Sequence, residues 1–200
     1  MLFRSEAVNH HIGRLDVLVN NAGVTVTEAF EKTTVERYDS LYQVNLRAMF
    51  FLAQAVLPAM ENQGGGKIIN ISSIHAYCAM PEHAIYAGTK GGIVAFTRTL
   101  ALELIKKKVR VNCIAPGWIL IEKHLESAPK SLDWNAASAL IPTGFIGLPR
   151  DVGRLALFFA SEESRYIIGQ TVLLDGGQSI VMPLAAQITD LYEGRLSSQV

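Results

Sequence analysis

Short apolar segments alternate with longer helical segments along this chain, and that alternation restricts the possible fold more than any other feature. The short segments are β-branched-rich and too short for helices, and they cover residues 15–19, 67–72, 109–114 and 171–174. Helical character is found in residues 35–62, 84–107 and 151–161. Strands that alternate with helices predict βαβ units and a parallel sheet, and strands this apolar favour a sheet covered on both faces. The sequence therefore predicts a doubly wound α/β fold.

Turn residues support these boundaries. Thr33 or Thr34 can cap the first long helix, and the glycines at 64–66 can end it before the next strand. The lysines at 106–108 place positive charge where the dipole of the second helix favours it, so they predict a solvated helix end.

Composition limits the class of protein. With 200 residues, half of them hydrophobic, the chain is long enough for one domain with a substantial core. Its 18 basic and 18 acidic residues cancel, and no basic stripe indicates nucleic acid or an anionic membrane. Cys78 and Cys113 lack the spacing of metal ligands and are expected to be reduced thiols of a cytoplasmic protein.

Distinctive residues follow three of the predicted strands. Asn20, Asn21, Ala22 and Gly23 follow the first strand, Ser73 ends the second, and Pro116 and Gly117 follow the third. In open parallel sheets, ligands bind outside the carboxyl ends of the strands. We therefore expect a functional site at this edge.

Tyr86 and Lys90 provide acid–base chemistry for that edge. They are four residues apart and share one face of the second long helix. A nearby ammonium favours phenolate, so we expect Lys90 to lower the Tyr86 pKa towards neutrality, where proton exchange is most effective. Ser73 can hold a substrate oxygen while Tyr86 gives or takes its proton. Taken alone, the pair is weak evidence and favours a solvated lysine beside a packed tyrosine.

With these residues in place, the chain resembles the classical short-chain dehydrogenase/reductase family. The matching motifs are NNAG (20–23), VNL around Asn45, INISS ending at Ser73, YAGTK (86–90), RVNCIAPGWI (110–119) and YIIGQTVLLDGG (166–177). Their order and spacing cover residues 13–177, and six ordered motifs rarely coincide by chance.

The resemblance implies a role for each matching residue. Tyr86 would be the proton donor or acceptor, and Lys90 would contact the nicotinamide ribose and lower the tyrosine pKa. Ser73 would orient the substrate, since its spacing to Tyr86 matches the family and that of Ser72 does not. Asn45 would hold a water that links Lys90 to solvent, and its apolar helix favours a buried position.

The implied cofactor is NAD or NADP, and the sequence does not decide between them. Asn20 to Gly23 would shape the turn beside its adenosine half, and Pro116, Gly117 and Ile119 would lie against its nicotinamide. His75 and Trp118 are candidate substrate contacts, and no metal site is expected. Glu82 and His83 are interpreted as surface residues at a helix start.

The chain departs from the family in two places. Neither G-x-G-x-x-G nor T-G-x-x-x-G-x-G occurs, and only 19 residues precede NNAG. We therefore expect an N-terminally truncated member, with residues 1–200 forming one domain that lacks the first strands and is inactive by itself. Ile121 stands where the family has a threonine that binds the carboxamide, so that contact is lost or passes to Thr143 or a backbone group.

Two further segments and one helix face have expected roles. Residues 118–146 have little periodicity and predict a substrate lid, and residues 178–200 extend past the usual ending of the family. Gly88, Gly91 and Gly92 suggest close approach of the cofactor or a partner helix. Family members commonly form tetramers, so we expect a homo-oligomer, a homotetramer, through helices 35–62 and 84–107.

Three functions are compatible with these residues. The leading one is an NAD(P)-dependent oxidoreductase that interconverts a secondary alcohol and a ketone, with a sugar or polyol suggested by the Ser-Ser-Ile-His run. The second is a 3-oxoacyl thioester reductase. The third is a non-catalytic fragment that keeps the fold without binding cofactor.

Overall fold

A computed structural model describes residues 14–181, apart from the side chains of residues 123, 124 and 127. Four parallel strands form one sheet in chain order: β1 Val17–Asn20, β2 Gly66–Ile71, β3 Val109–Pro116 and β4 Thr171–Leu174. The predicted parallel sheet is confirmed, and each predicted strand end lies within two residues of the observed one. The predicted C-terminal extension lies outside the described residues from residue 182 onwards.

Six α-helices connect and cover these strands: α1 Val35–Tyr42, α2 Ala48–Asn62, α3 Ala84–Leu104, α4 Glu122–Ser127, α5 Trp134–Ala139 and α6 Pro149–Ala160. Thr34, rather than Thr33, caps α1, because its hydroxyl accepts from the Arg37 amide at 3.2 Å. The predicted helix 35–62 is continuous in direction but not in type. A π-helical turn, Gln43–Arg47, separates α1 from α2.

Both faces of the sheet are covered. On one face, α2 and α3 pack against Ile68 and Val111. On the other face, Phe159 of α6 packs against Ile69 and Ile114. Successive strand residues point to opposite faces, so adjacent isoleucines of β2 belong to different clusters. This arrangement accounts for the continuous apolar runs in the sequence.

A buried arginine links β3 to the end of α6. The Arg110 guanidinium donates to the carbonyls of Phe159, Ser161 and Ser164 and to the Ser164 hydroxyl, at 2.8–3.1 Å. Burial lowers the pKa of this guanidinium. Because the last carbonyls of a helix have no partner within it, Arg110 supplies the donors that the C-terminus of α6 requires.

Residues 118–146, the segment with little periodicity, contain two short helices, α4 and α5. One local expectation needs correction. The glycines of α3 serve packing within this chain at two positions: a Cβ on Gly88 would lie 2.9 Å from the Tyr42 hydroxyl, and one on Gly92 would lie 3.1 Å from Leu46. Only at Gly91 is the space beside the helix open. Within residues 14–181, no helix combines the length and apolarity needed to cross a membrane.

Candidate active site

Ser73 lies just past the carboxyl end of β2. Its backbone is extended, with φ −164° and ψ 159°, and its hydroxyl accepts from the His75 amide at 3.2 Å, which caps a short 3-10 turn. The neighbouring Ser72 is engaged elsewhere, because its hydroxyl donates to the Lys90 carbonyl at 2.8 Å. That hydrogen bond fixes α3 to the end of β2.

Tyr86 and Lys90 occupy the same face of α3, as their spacing predicted. The Lys90 Nζ atom lies 5.5 Å from the centroid of the Tyr86 ring. Lys90 is 4% exposed, and Nζ donates to the Ile71 carbonyl at 3.1 Å. The structure therefore brings Ser73, Tyr86 and Lys90 together at the end of β2.

The expected lowering of the Tyr86 pKa by Lys90 is wrong. Burial raises the pKa of the Tyr86 phenol, and a side-chain interaction with Ser73 opposes that rise. The larger effect falls on Lys90, whose pKa is lowered to about 8 by burial. A low-dielectric environment disfavours the charged form of each group, phenolate for one and ammonium for the other.

Asn45 lies in the π-helical turn and is 1% exposed, so its expected burial is confirmed. Its Oδ1 accepts from the Val24 amide at 2.8 Å, and its Nδ2 donates to the Val24 carbonyl and to the Thr89 hydroxyl. The side chain thus joins three segments: the turn after β1, the π-helical turn and α3. Its predicted role in holding a water stays a prediction.

The segment from Asn20 to Gly23 reaches the same cluster. Asn20 is buried and donates to Asn70 at 2.8 Å, while Asn21 and Ala22 are exposed. A Cβ placed on Gly23 would lie 3.4 Å from Lys90 Nζ and 3.5 Å from Asn45 Oδ1. Gly23 therefore lies beside Lys90, the residue that the family resemblance assigns to the other half of the cofactor.

The segment after β3 is held by the turn after β4. The Gly117 amide donates to the Leu174 carbonyl, and the Trp118 amide donates to Gln178 Oε1, both at 3.0 Å. A Cβ on Gly117 would lie 2.7 Å from Asp175 Cβ, so a larger residue would separate the two turns. Ile119 forms a parallel bridge with Gly147.

Ile121, which stands in place of the family's threonine, and Thr143, its candidate replacement, lie in different surroundings. Ile121 is exposed. The Thr143 amide donates to the Gly176 carbonyl at 3.2 Å, and its hydroxyl donates to the Phe145 carbonyl at 3.4 Å. Thr143 is therefore anchored at the turn that follows β4.

The interpretation of His83 as a surface residue is wrong, although that of Glu82 as exposed agrees with the structure. His83 is 9% exposed, and its ring stacks on His75 with centroids 5.0 Å apart. His75 in turn meets Tyr86 edge to face at 5.4 Å. His83 immediately precedes α3, three residues before Tyr86, and this closeness in sequence is the signal that sequence reasoning missed.

His75 leaves one polar atom unused. Its Nδ1 is buried and has no hydrogen-bond partner among the described residues. Both nitrogens of His83 have neighbours, since Nδ1 lies 2.9 Å from the Pro81 carbonyl and Nε2 lies 3.4 Å from the Thr27 hydroxyl. His75 therefore presents an unpaired imidazole nitrogen beside Tyr86.

Known proteins resemble the chain over most of its length. The family model described as enoyl-(acyl carrier protein) reductase matches residues 4–179. The 3-oxoacyl-(acyl-carrier-protein) reductase of Thermotoga maritima is 39% identical over 175 residues, which cover 86% of this chain and 69% of that protein. The 7alpha-hydroxysteroid dehydrogenase of Bacteroides fragilis is 36% identical over 174 residues, which cover 86% and 67%. The chain thus spans about two thirds of the length of these relatives.

A solved structure shows the same fold. The structure is that of a gluconate 5-dehydrogenase from Burkholderia cenocepacia J2315 in complex with NADP and tartrate. It superposes with a TM-score of 0.81 at 30% identity, and the match covers 89% of this chain and 70% of the dehydrogenase chain. The fold, the ordered motifs and the sequence matches agree: the chain belongs to the short-chain dehydrogenase/reductase family of Rossmann-like oxidoreductases.

Proposed function

We propose that this chain carries the catalytic residues of an NAD(P)-dependent oxidoreductase that interconverts a secondary alcohol and a ketone. The observation that carries the proposal is the convergence of Ser73, Tyr86 and Lys90 at one strand end, with Lys90 Nζ 5.5 Å from the Tyr86 ring. A hydroxyl, a phenol and an ammonium in this arrangement can bind an oxygen and move its proton. We retain Asn45 as a candidate for the same catalytic unit.

The residues present fit the nicotinamide end of such a cofactor. An ammonium has three donors, and the hydrogen bonds within residues 14–181 engage Lys90 Nζ with one acceptor, the Ile71 carbonyl. Gly23 leaves room beside Nζ that a side chain would fill. Lys90 would hold the ribose hydroxyls, and Pro116, Gly117 and Ile119 would flank the nicotinamide. When bound, NAD or NADP supplies or accepts the hydride.

The protein residues would divide the remaining chemistry. In ketone reduction, the Ser73 hydroxyl donates a hydrogen bond to the substrate oxygen and so fixes its position. The Tyr86 phenol then gives its proton to that oxygen as negative charge develops there. In alcohol oxidation the proton moves in the opposite direction. Lys90 in its charged form stabilises the resulting phenolate at short range.

Two substrate classes compete within this reaction. The structural neighbour named gluconate 5-dehydrogenase supports a sugar or polyol. The relative named 3-oxoacyl-(acyl-carrier-protein) reductase supports a 3-oxoacyl thioester instead. A panel of keto-sugars and 3-oxoacyl thioesters would separate the two.

We also propose that the chain associates with copies of itself through α1, α2 and α3. Phe50 and Phe51 are large apolar side chains exposed on α2, and Leu102 is exposed on α3. The open space beside Gly91 would admit a partner helix. The tetrameric state and the cytoplasmic location stay predictions. It also stays a prediction that residues 1–200 form one domain, with a lid at 118–146 and an extension at 178–200.

The glycine-rich turn that would bind the cofactor pyrophosphate is not present in the 200 residues. We therefore propose that this stretch, expressed by itself, binds dinucleotide weakly and turns over little substrate. Calorimetric titration with NAD and NADP tests this, and micromolar affinity for either would contradict it.

The decisive test is Tyr86→Phe in the longest natural polypeptide that contains these residues. We expect turnover, followed as NAD(P)H absorbance with the substrate panel, to fall below a few per cent while the circular dichroism spectrum is unchanged. The phenol oxygen is the only group assigned to move the proton, so a variant that keeps a larger share of activity would refute the assignment.

A further inference from the structure

A cleft of about 500 Å³ lies within the segment 118–146, next to Trp118. Most of its lining is apolar and comes from Trp118, Pro129, Leu132, Ala136, Ala137 and Leu140. Small-molecule sites in proteins occupy about 300–1,000 Å³ and are lined mainly by such side chains. We call this space the Trp118 cleft.

The polar residues of the Trp118 cleft lie at its rim. Ser131 and Asp133 are both exposed. Asp133 caps α5, since its Oδ1 accepts from the amides of Asn135 and Ala136 at 2.9 and 3.2 Å. A carboxylate at the mouth repels anionic ligands and tolerates neutral ones. The cleft therefore suits an uncharged apolar group.

Trp118, one wall of the cleft, follows closely after the end of β3, which lies beside the end of β2. Ile71 of β2 pairs with Ile114 of β3, and Ser73 and Pro116 each follow two residues later. Trp118 is only two residues beyond Pro116, and its amide is fixed to Gln178. Its ring packs against the cluster formed by Ala137, Ile141 and Ile146. A substrate held by Ser73 can thus extend along this edge of the sheet towards Trp118.

We infer that the Trp118 cleft binds a flat, uncharged ring system that forms the non-reacting part of the substrate. The inference rests on the proposed function, because it takes Ser73 and Tyr86 as the place of reaction. An indole face and aliphatic walls favour an aromatic or alicyclic plane over a hydroxylated chain. It follows that an aryl or polycyclic ketone is a better substrate than an acidic sugar.

The two tryptophans of the chain give a direct readout. Trp118 lines the cleft, and Trp134 lies 6.4 Å from it but is not part of the lining. The probe is 2-acetonaphthone, a neutral ketone, and its matched anion is 2-naphthoate. We expect 2-acetonaphthone to quench tryptophan emission without cofactor and to bind at least tenfold more tightly than 2-naphthoate. Gluconate should not change the emission.

Variants locate the binding. Trp118→Phe should remove most of the quenching, whereas Trp134→Phe should keep it. Leu140→Asp adds a charge to the lining at an exposed site and should weaken 2-acetonaphthone at least fivefold, measured by calorimetry. Leu157→Asp on α6 is the matched control, also highly exposed and outside the lining, and should change affinity less than twofold.

The outcomes separate this inference from the proposed function. Equal affinity for ketone and anion, equal weakening by both aspartate variants, or quenching that survives Trp118→Phe would overturn the assignment of the cleft. Binding of 2-acetonaphthone needs no proton transfer, so Tyr86→Phe should leave it unchanged. If that variant still turned over substrate while binding mapped to Trp118, the catalytic proposal would fail and the cleft assignment would stand.

Discussion

The Lys90 ammonium lies 5.5 Å from the Tyr86 ring centroid, and at the end of β2 Lys90 is buried and Tyr86 half-buried. Proximity alone does not make the ammonium tune the phenol in this state. Burial is the largest influence on the pKa of each group. It lowers the pKa of the Lys90 ammonium and raises the pKa of the Tyr86 phenol. Desolvation therefore sets the direction of both pKa shifts, and the titration of the two groups can be measured without substrate.

The first prediction concerns stability and pH. The folded-state pKa of Lys90 is lowered to about 8 from 10.5, so the unfolded chain binds more protons between these values and stability rises with pH across that window. Lys90→Met removes this dependence. The free energy of unfolding of the variant minus that of wild type should be about 3 kcal/mol larger at pH 7 than at pH 10.5. Urea unfolding at both pH values tests this, and parallel pH profiles would contradict it.

The second prediction concerns the Tyr86 phenol. Because burial raises its pKa, Tyr86 should ionise above the ordinary value of about 10 in the protein without cofactor. The chain has six tyrosines, so the measurement is the difference between ultraviolet titrations of wild type and Tyr86→Phe. A Tyr86 component that ionises below pH 9 would show that Lys90 controls the phenol even without cofactor.

The third prediction concerns Arg110, which is 8% exposed and holds the end of α6. Arg110→Leu removes four charge-assisted hydrogen bonds and leaves the carbonyls of Phe159 and Ser161 with the Ser164 hydroxyl as their one remaining donor. This loss should lower the free energy of unfolding by about 3 kcal/mol or more. Arg154→Leu is the control, because Arg154 is exposed and its ion pair with the half-buried Asp151 is worth about 0–1 kcal/mol. Similar losses in the two variants would contradict the helix-end role.

The fourth prediction compares two glycines of α3. Gly91→Ala meets open space and should stabilise the isolated subunit by about 0.5–1 kcal/mol, the usual gain of alanine over glycine in a helix. Gly88→Ala should gain less, because its new methyl would press on the Tyr42 hydroxyl. If α3 is an association face, Gly91→Ala should also shift size-exclusion elution towards smaller species. A larger gain at Gly88 than at Gly91 would contradict this assignment.

The elements that the sequence predicted well are those with strong local patterns. The β-branched runs located all four strands, and the spacing of Tyr86 and Lys90 placed them correctly on one helix face. Thr34 was one of two capping candidates, and only the backbone geometry could choose between them. The α5 helix was missed although Asp133 is an ordinary capping residue, because the segment that follows is too short for a clear period.

Other features depend on packing that no local pattern reports. His83 is buried because His75, from a different turn, stacks on it. The rise in the Tyr86 pKa comes from the surrounding protein rather than from its neighbour in sequence. The close contacts at Gly88 and Gly92 depend on the approach of Tyr42 and Leu46 from another part of the chain. Such effects follow from the assembled fold.

The π-helical turn Gln43–Arg47 has a consequence for how this helix tolerates change. Each residue of an α-helix advances the side-chain direction by about 100°. Asn45 within this turn is buried, as are Leu41 four residues before it and Met49 four residues after it, whereas Phe50 and Phe51 are exposed. Removing one residue here would rotate everything on one side of the deletion by about 100°. In this segment chain length matters more than residue identity, so a deletion should be more damaging than most substitutions.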